Sequence, residues 1–107
     1  MVSGPYASGA ATAAARAANL AALNRAAAAL WARGHMPVIG VNMALPVIAA
    51  AGEEHYDSLM LPLSMALAER CDGCLRIGGA SAGADREAAW FSERGLPVYH
   101  CLEEVPD

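Results

Sequence analysis

Residues 81–98 read SAGADREAAWFSERGLPV and contain the clearest secondary-structure signal in the chain. They follow a short apolar run, CLRI at residues 74–77, and a pair of glycines at residues 78–79. Ser81 is a favoured helix N-cap residue, and Gly95 shortly before a proline is a typical helix end. The pattern predicts a strand, a glycine-rich turn, a helix that begins at Ser81, and then another strand.

Glu87 interrupts the apolar face of this predicted helix. Ala84, Ala88 and Phe91 share one side of the helix at spacings of three and four residues, and Glu87 lies among them. A carboxylate on a packing face must be paired, reach solvent at the edge, or have a function. Because Glu87 follows a helix N-terminus and a turn that can hold an anion, we predict a functional role for it. An ion pair with a nearby arginine is the alternative.

Composition restricts the class of protein. The 107 residues suffice for one domain, and 56% hydrophobic with 17% charged residues is typical of a globular chain. A net charge of −4 without a basic run argues against binding to a nucleic acid polymer, and no segment is long and apolar enough to enter a membrane. Because alanine supplies much of the apolar fraction and buries little area, we expect a homodimer or a higher homo-oligomer. Three cysteines imply no disulfide framework, so the expected location is cytoplasmic.

Helix and strand patterns alternate along the chain. Strands are expected near Met1 and at residues 37–41, 74–77 and 96–101, and helices at residues 12–33, 53–70 and from Ser81 onward. Residues 42–52 are interpreted as a connection in which Pro46 is a breaker. The first helix has an apolar stripe of Leu20, Leu23, Ala27, Leu30 and Trp31. Largely outside that stripe lie Arg16, Asn19, Asn24 and Arg25.

Alternating strands and helices predict a parallel sheet with right-handed crossovers. In such a sheet the ligand site lies beyond the carboxyl ends of the strands. The prediction therefore brings residues 4–6, Asn42 and residues 78–83 to one crevice, with Glu87 as the carboxylate that faces it.

Five short motifs occur in order along nearly the whole chain: SGPY at 3–6, GHMPV at 34–38, CD at 71–72, SAGADRE at 81–87 and GLPV at 95–98. Together they resemble the nucleoside 2-deoxyribosyltransferase-like superfamily, in particular its branch related to the 2′-deoxynucleoside 5′-phosphate N-hydrolases. The resemblance implies an α/β fold of the flavodoxin-like or Rossmann-like type. That fold is a three-layer sandwich around a four- to five-stranded parallel sheet, formed by residues 1–107 as a single domain.

The resemblance also implies a reaction and a site. Glu87 holds the position of a glutamate nucleophile that attacks the anomeric carbon of a (deoxy)nucleoside 5′-monophosphate, so that the N-glycosidic bond is cleaved or transferred. Ser81 and Gly83 match the region that holds the 5′-phosphate. The remaining residues expected to bind substrate are Ser3, Gly4, Pro5, Tyr6 and Gly79. The expected partner is a small-molecule nucleotide or nucleoside, and neither a metal nor another cofactor is expected.

Ser64 departs from the pattern of this superfamily. Active members usually carry an aspartate eight residues before the position of Asp72, and here that residue is Ser64. Protonation of the leaving base then needs another group, for which Glu54, Tyr56 and Asp57 are the candidates. The departure keeps open a non-catalytic nucleotide-binding or sensing module, and an assembly domain without a ligand is a third possibility.

Overall fold

Three short parallel strands form the centre of the molecule, which is described over residues 1–107 by a computed structural model. Strand β1 (Val2–Ser3) pairs with β2 (Cys74–Arg76), and β2 pairs with β3 (Val98–Tyr99). Four helices connect or flank them: α1 (Ala13–Ala32), α2 (Gly40–Ala51), α3 (Tyr56–Ala68) and α4 (Ala82–Glu93). Short 3₁₀ turns span Glu53–His55 and Leu102–Glu104.

The alternation of side chains along the strands divides the core into two parts. Val2 and Leu75 pack on one face of the sheet against Leu23 and Leu30 of α1. On the other face a second buried group joins α3 and α4 to the sheet, and its members are Met1, Ala68, Cys74 and Phe91. The sheet therefore has helices on both faces, and α4 lies directly against it.

Local signals set the ends of α1 and α4, and both predicted helices are confirmed. The Thr12 hydroxyl accepts a hydrogen bond from the Ala15 amide at 3.1 Å, and the Ser81 hydroxyl accepts one from the Ala84 amide at 3.2 Å. Beyond the two helices lie Gly34 and Gly95, with φ of 94° and 71°. Because glycine reaches this left-handed region without steric cost, each helix ends where the sequence predicts.

The predicted four- to five-stranded flavodoxin-like or Rossmann-like sandwich is wrong. The chain is 59% helical and only 7% strand, and its sheet has three strands. The expected strand at residues 37–41 contributes a single sheet-like hydrogen bond, from the Val2 amide to the Val38 carbonyl at 2.8 Å. The fourth expected strand, at residues 96–101, is reduced to Val98–Tyr99.

A helix replaces the second strand because Gly40 packs tightly against α3. A Cβ atom added to Gly40 would lie 2.2 Å from the Ser64 hydroxyl oxygen, so this contact requires glycine. Helix α2 begins at this contact and continues to Ala51 through the expected connection, with the expected breaker Pro46 inside it. Residues 37–39 therefore lie beside β1 without forming a strand, and the backbone becomes helical at Gly40. None of the helices is both long and apolar enough to cross a membrane.

Candidate functional site

A cavity of about 120 Å³ opens at the carboxyl ends of β1 and β2. Five of the residues predicted for the site line it, namely Gly4, Tyr6, Ser81, Gly83 and Glu87. They converge because the turns after β1 and β2 leave the sheet side by side, and α4 begins directly after the second turn. The opposite wall comes from α3 and includes Tyr56, Met60 and Ser64.

Glu87 is the only carboxylate in the cavity wall, and its residue is 9% exposed. None of the three ion pairs in the molecule involves it, because Arg76 pairs with Asp85 and Arg94 with Glu93. Burial raises the pKa of the Glu87 carboxyl, whereas the Ser3 hydroxyl, the amino terminus and Arg76 lower it. Glu87 therefore faces the cavity as a desolvated carboxylate without a salt-bridge partner.

The N-terminus of α4 supplies hydrogen-bonding groups to the same cavity. The Ser8 hydroxyl donates to the Ser81 hydroxyl at 3.3 Å, so the loop after β1 is joined to the N-cap of α4. The amides of Ala82 and Gly83 precede the first intrahelical hydrogen bonds and are free to bind an anion. A Cβ atom added to Gly83 would meet no atom within 4 Å, so the space beside it is open.

Several residues expected at the crevice or as substrate ligands do not line the cavity, among them Ser3, Pro5, Asn42 and Gly79. Ser3 is buried beneath it, where its hydroxyl accepts a hydrogen bond from the Cys74 thiol at 3.5 Å. Pro5 packs against Gly78, and the exposed Gly79 offers its carbonyl to Arg76 at 2.8 Å. Asn42 lies on α2 and donates to the Asn24 side chain at 2.7 Å. Ser3 influences Glu87, whereas the other three have structural contacts only.

Arg76 fixes the turn that leads into α4. Its guanidinium donates to the carbonyls of Ile77 and Gly79 at 2.6 and 2.8 Å, and to the Asp85 carboxylate at 3.1 Å. These bonds connect the end of β2, the glycine turn and the first turn of α4. Arg76 therefore determines where Ser81 and Glu87 stand relative to the sheet.

Of the three residues considered as proton donors to the base, Tyr56 is the one that lines the cavity. Burial raises the pKa of its phenol, and nearby Tyr6 raises it further while Arg16 opposes the rise. The two other candidates, Glu54 and Asp57, are exposed and lie outside the cavity wall. The sequence offered Tyr56 only as one of three alternatives, because the position of α3 over the cavity depends on its packing with α2.

Ser64 lines the cavity but is also a helix-packing residue. It is 3% exposed, and its side chain lies against the backbone of Gly40. The position at which the superfamily that the sequence resembles usually has an aspartate is therefore occupied by a residue that packs between helices. No group of three or more His, Cys, Asp or Glu side chains is arranged to hold a metal ion.

A larger cavity, of about 350 Å³, lies at the amino ends of the strands. Its wall includes Met1, Met36, Arg70, Cys71, Asp72 and Pro97, and it contains none of the residues predicted for the site. Size therefore favours this cavity, whereas the buried Glu87 carboxylate and the N-terminus of α4 favour the smaller one.

Comparison of the chain with protein-family models, with curated proteins and with solved structures finds no match. The assignment of a function therefore rests on the side chains around the smaller cavity and on the ordered motifs in the sequence.

Proposed function

We propose that the protein cleaves or transfers the N-glycosidic bond of a (deoxy)nucleoside 5′-monophosphate, with Glu87 as the nucleophile. The observation that carries the proposal is the unpaired, desolvated Glu87 carboxylate facing a cavity with hydroxyl, phenol and free amide groups. A carboxylate in this setting suits attack on an oxocarbenium-like carbon. The ordered sequence motifs support the same reaction.

In the proposed mechanism, a Glu87 oxygen forms a bond to the anomeric carbon while the bond from that carbon to the base nitrogen breaks. The base takes the bonding electron pair and a proton, and a glycosyl ester remains on Glu87. Water or a second base then attacks the same carbon and restores the carboxylate. The burial that raises the pKa of Glu87 makes it a stronger nucleophile, and the Arg76 charge favours its ionised form.

Tyr56 donates the hydrogen bond or proton that the departing base requires. A phenol with the ordinary pKa of 10.0 is protonated at neutral pH, and the raised pKa of Tyr56 leaves it so, which allows it to donate a hydrogen bond to the base. Tyr56 lines the cavity together with Glu87 and comes from a different helix, so a ligand can lie between them. In this proposal Tyr56 assists the departure of the base, a role that the Ser64 side chain cannot take in place of the usual aspartate.

The size of the cavity limits how much of the substrate is enclosed. Ligand pockets usually have volumes of about 300–1,000 Å³, and this one has about 120 Å³. A sugar ring is the part of a nucleotide that this space suits, so the base and the 5′-phosphate extend to its rim. At that rim Ser81 and the free amides of α4 suit the phosphate.

A second candidate function is nucleotide binding without catalysis. The contact between Ser64 and Gly40 favours it, because the cavity then lacks the carboxylate that usually accompanies the nucleophile. The same cavity and the same rim would hold the nucleotide in a binding or sensing module.

Incubation with a panel of nucleosides and nucleoside monophosphates, followed by chromatography of free base, tests the enzymatic proposal. We expect release from at least one monophosphate by the wild type and none by Glu87→Ala. Glu93→Ala, a change of an exposed carboxylate at the other end of the same helix, is the matched control and retains activity. Release no greater than that of Glu87→Ala for every substrate would reject the reaction, and thermal stabilisation by monophosphates without turnover would support the binding module.

A further inference from the structure

Arg16 occupies the side of α1 that faces the core. It precedes Leu20 by four residues and Leu23 by seven. Arg16 therefore lies on the same face of the helix as the apolar stripe, at its N-terminal end. Its half-buried state agrees with this position, and the expectation that Arg16 lies outside the stripe is wrong. Arg25 follows nine residues later, about 180° around the helix, and is exposed.

Arg16 is the half-buried arginine for which the protein supplies no partner. The other two arginines of similar burial are fully engaged, since Arg33 donates to the carbonyls of Leu102 and Val105, and Arg76 holds the turn before α4. No ion pair in the molecule contains Arg16. A partly desolvated guanidinium with five donors gains most from an anion that it can bind with two parallel hydrogen bonds.

Arg16 does not line the smaller cavity, but its neighbours place it on the side of the cavity where Tyr6 and Tyr56 lie. Asn19, one turn further along the same side of α1, donates its side-chain amide to the Tyr6 carbonyl at 2.8 Å. The charge of Arg16 acts on the Tyr56 phenol, whereas the positive groups that act on Glu87 are Arg76 and the amino terminus. Arg16 therefore lies on the side of Tyr6 and Tyr56, away from the carboxylate.

The loop between β1 and α1 joins this side of the cavity to the N-terminus of α4. It runs from Gly4 to Thr12, and within it the Ser8 hydroxyl donates to Ser81. The wall of the cavity itself contains no cation. The N-terminus of α4 offers hydroxyl and amide donors without a full positive charge, and Arg16, in the first turn of α1 beyond this loop, carries such a charge on the side of Tyr6 and Tyr56.

We propose that Arg16 binds the anionic group of the ligand, a phosphomonoester that projects from the cavity, and makes the protein prefer phosphorylated ligands. The identity of the ligand rests on the proposed function, whereas the recognition of an anion rests on Arg16 and its surroundings. A cavity of about 120 Å³ leaves such a group outside, where an arginine beside the cavity can reach it.

Calorimetric titration of 2′-deoxynucleoside 5′-monophosphates and the corresponding nucleosides into wild type, Arg16→Gln, Arg16→Lys and Arg25→Gln tests the proposal. The wild type should bind the monophosphate more tightly than the nucleoside. Arg16→Gln should lose about ten- to hundredfold in affinity for the monophosphate, as expected for one charge-assisted contact, and keep its affinity for the nucleoside. Arg16→Lys should retain part of the preference, and Arg25→Gln all of it.

The nucleoside titration shows whether each variant retains the folded cavity, because it measures binding that does not depend on Arg16. Equal losses for monophosphate and nucleoside, or an equal loss in Arg25→Gln, would overturn the role of Arg16. Base release by a wild type whose phosphate preference survives Arg16→Gln would reject this inference and keep the proposed reaction. Arg16-dependent monophosphate binding without base release would reject the reaction and keep the inference.

Discussion

The two cavities at opposite ends of the sheet differ in size and in chemistry. The cavity at the amino ends has about 350 Å³; its charged side chains, Arg70 and Asp72, are exposed, and the charged amino group of Met1 in its wall is hydrogen-bonded to the Gly73 carbonyl. The cavity at the carboxyl ends has about 120 Å³, and Glu87 in its wall is 9% exposed. A desolvated charge is costly unless something compensates it, so its presence is a stronger indication of function than volume.

The architecture explains why the chemical groups gather at one end. Each strand of a parallel sheet leads from its carboxyl end into a turn and a helix, whose first amides have no internal partners. At the amino ends the Cys74 amide donates a hydrogen bond to the Pro97 carbonyl, and the terminal amino group donates one to the Gly73 carbonyl at 2.8 Å. These two donors are therefore hydrogen-bonded, whereas the amides of Ala82 and Gly83 precede the first intrahelical hydrogen bonds of α4.

The largest difference between the cavities is expected in catalysis. Glu87→Gln should reduce base release by at least about a thousandfold, because loss of a covalent nucleophile removes the glycosyl ester pathway. Asp72→Asn, in the wall of the larger cavity, should change the rate by less than about twofold. The measurement is kcat/KM on the best monophosphate from the panel. A greater loss of kcat/KM for Asp72→Asn than for Glu87→Gln would mean that the active site is in the larger cavity.

The next largest effect is a loss of stability on substitution of Ser64, in the α3 wall of the smaller cavity. Ser64→Asp should destabilise the protein by at least about 2 kcal/mol, because the longer side chain is forced against Gly40 and adds a second buried carboxylate. Ser64→Ala should cost less than about 1 kcal/mol, since no hydrogen bond within the protein depends on the hydroxyl. Urea unfolding measures both. Equal stability of Ser64→Asp and wild type would mean that the cavity has room for the usual superfamily aspartate.

The same contact shows why the sequence failed to predict part of the fold. The helices α1 and α4 follow from signals within a few residues, such as the N-caps Thr12 and Ser81. Residues 37–41 carry a β-branched run that suits a strand, but the backbone becomes helical at Gly40. What decides the outcome is a contact with Ser64, which is distant in sequence, so no local pattern contains it.

The candidate site was predictable to the extent that it depends on the ends of strands. Gly4, Tyr6 and Glu87 share a cavity because parallel strands align their carboxyl ends. The α3 wall depends on how α2 and α3 pack, and that arrangement has no signature in the sequence. Arg16 had a signal that could have been used, since its spacing to Leu20 places it on the buried side of α1.

A smaller effect is expected in the turn that supports the smaller cavity. Arg76→Ala should destabilise the protein by about 2 kcal/mol, because three hydrogen bonds of a side chain that is only 11% exposed are lost. Asp85→Asn should cost less than about 1 kcal/mol, since the Asp85 side chain is 70% exposed and water screens its ion pair. Urea unfolding of both variants compares them. Similar losses would mean that the ion pair, and not the carbonyl contacts, holds the turn.

The smallest expected effect is a change in how stability depends on pH. The pKa of Glu87 in the folded protein is raised above its ordinary value of 4.5. Above pH 4.5 the unfolded chain therefore releases this proton while the folded protein still holds it, so stability falls as pH rises. The stability contribution of protonated Glu87 is therefore complete below 4.5 and is lost as pH rises through the folded pKa. Glu87→Gln should remove this loss, so its stability should fall less steeply than that of the wild type between about pH 4 and pH 8.

Urea unfolding of the wild type and of Glu87→Gln at a series of pH values is the measurement. A wild-type slope that matches Glu87→Gln would mean that the Glu87 carboxylate is solvated in the folded protein. The two cavities would then differ only in volume, and the reason for preferring the smaller one would be gone.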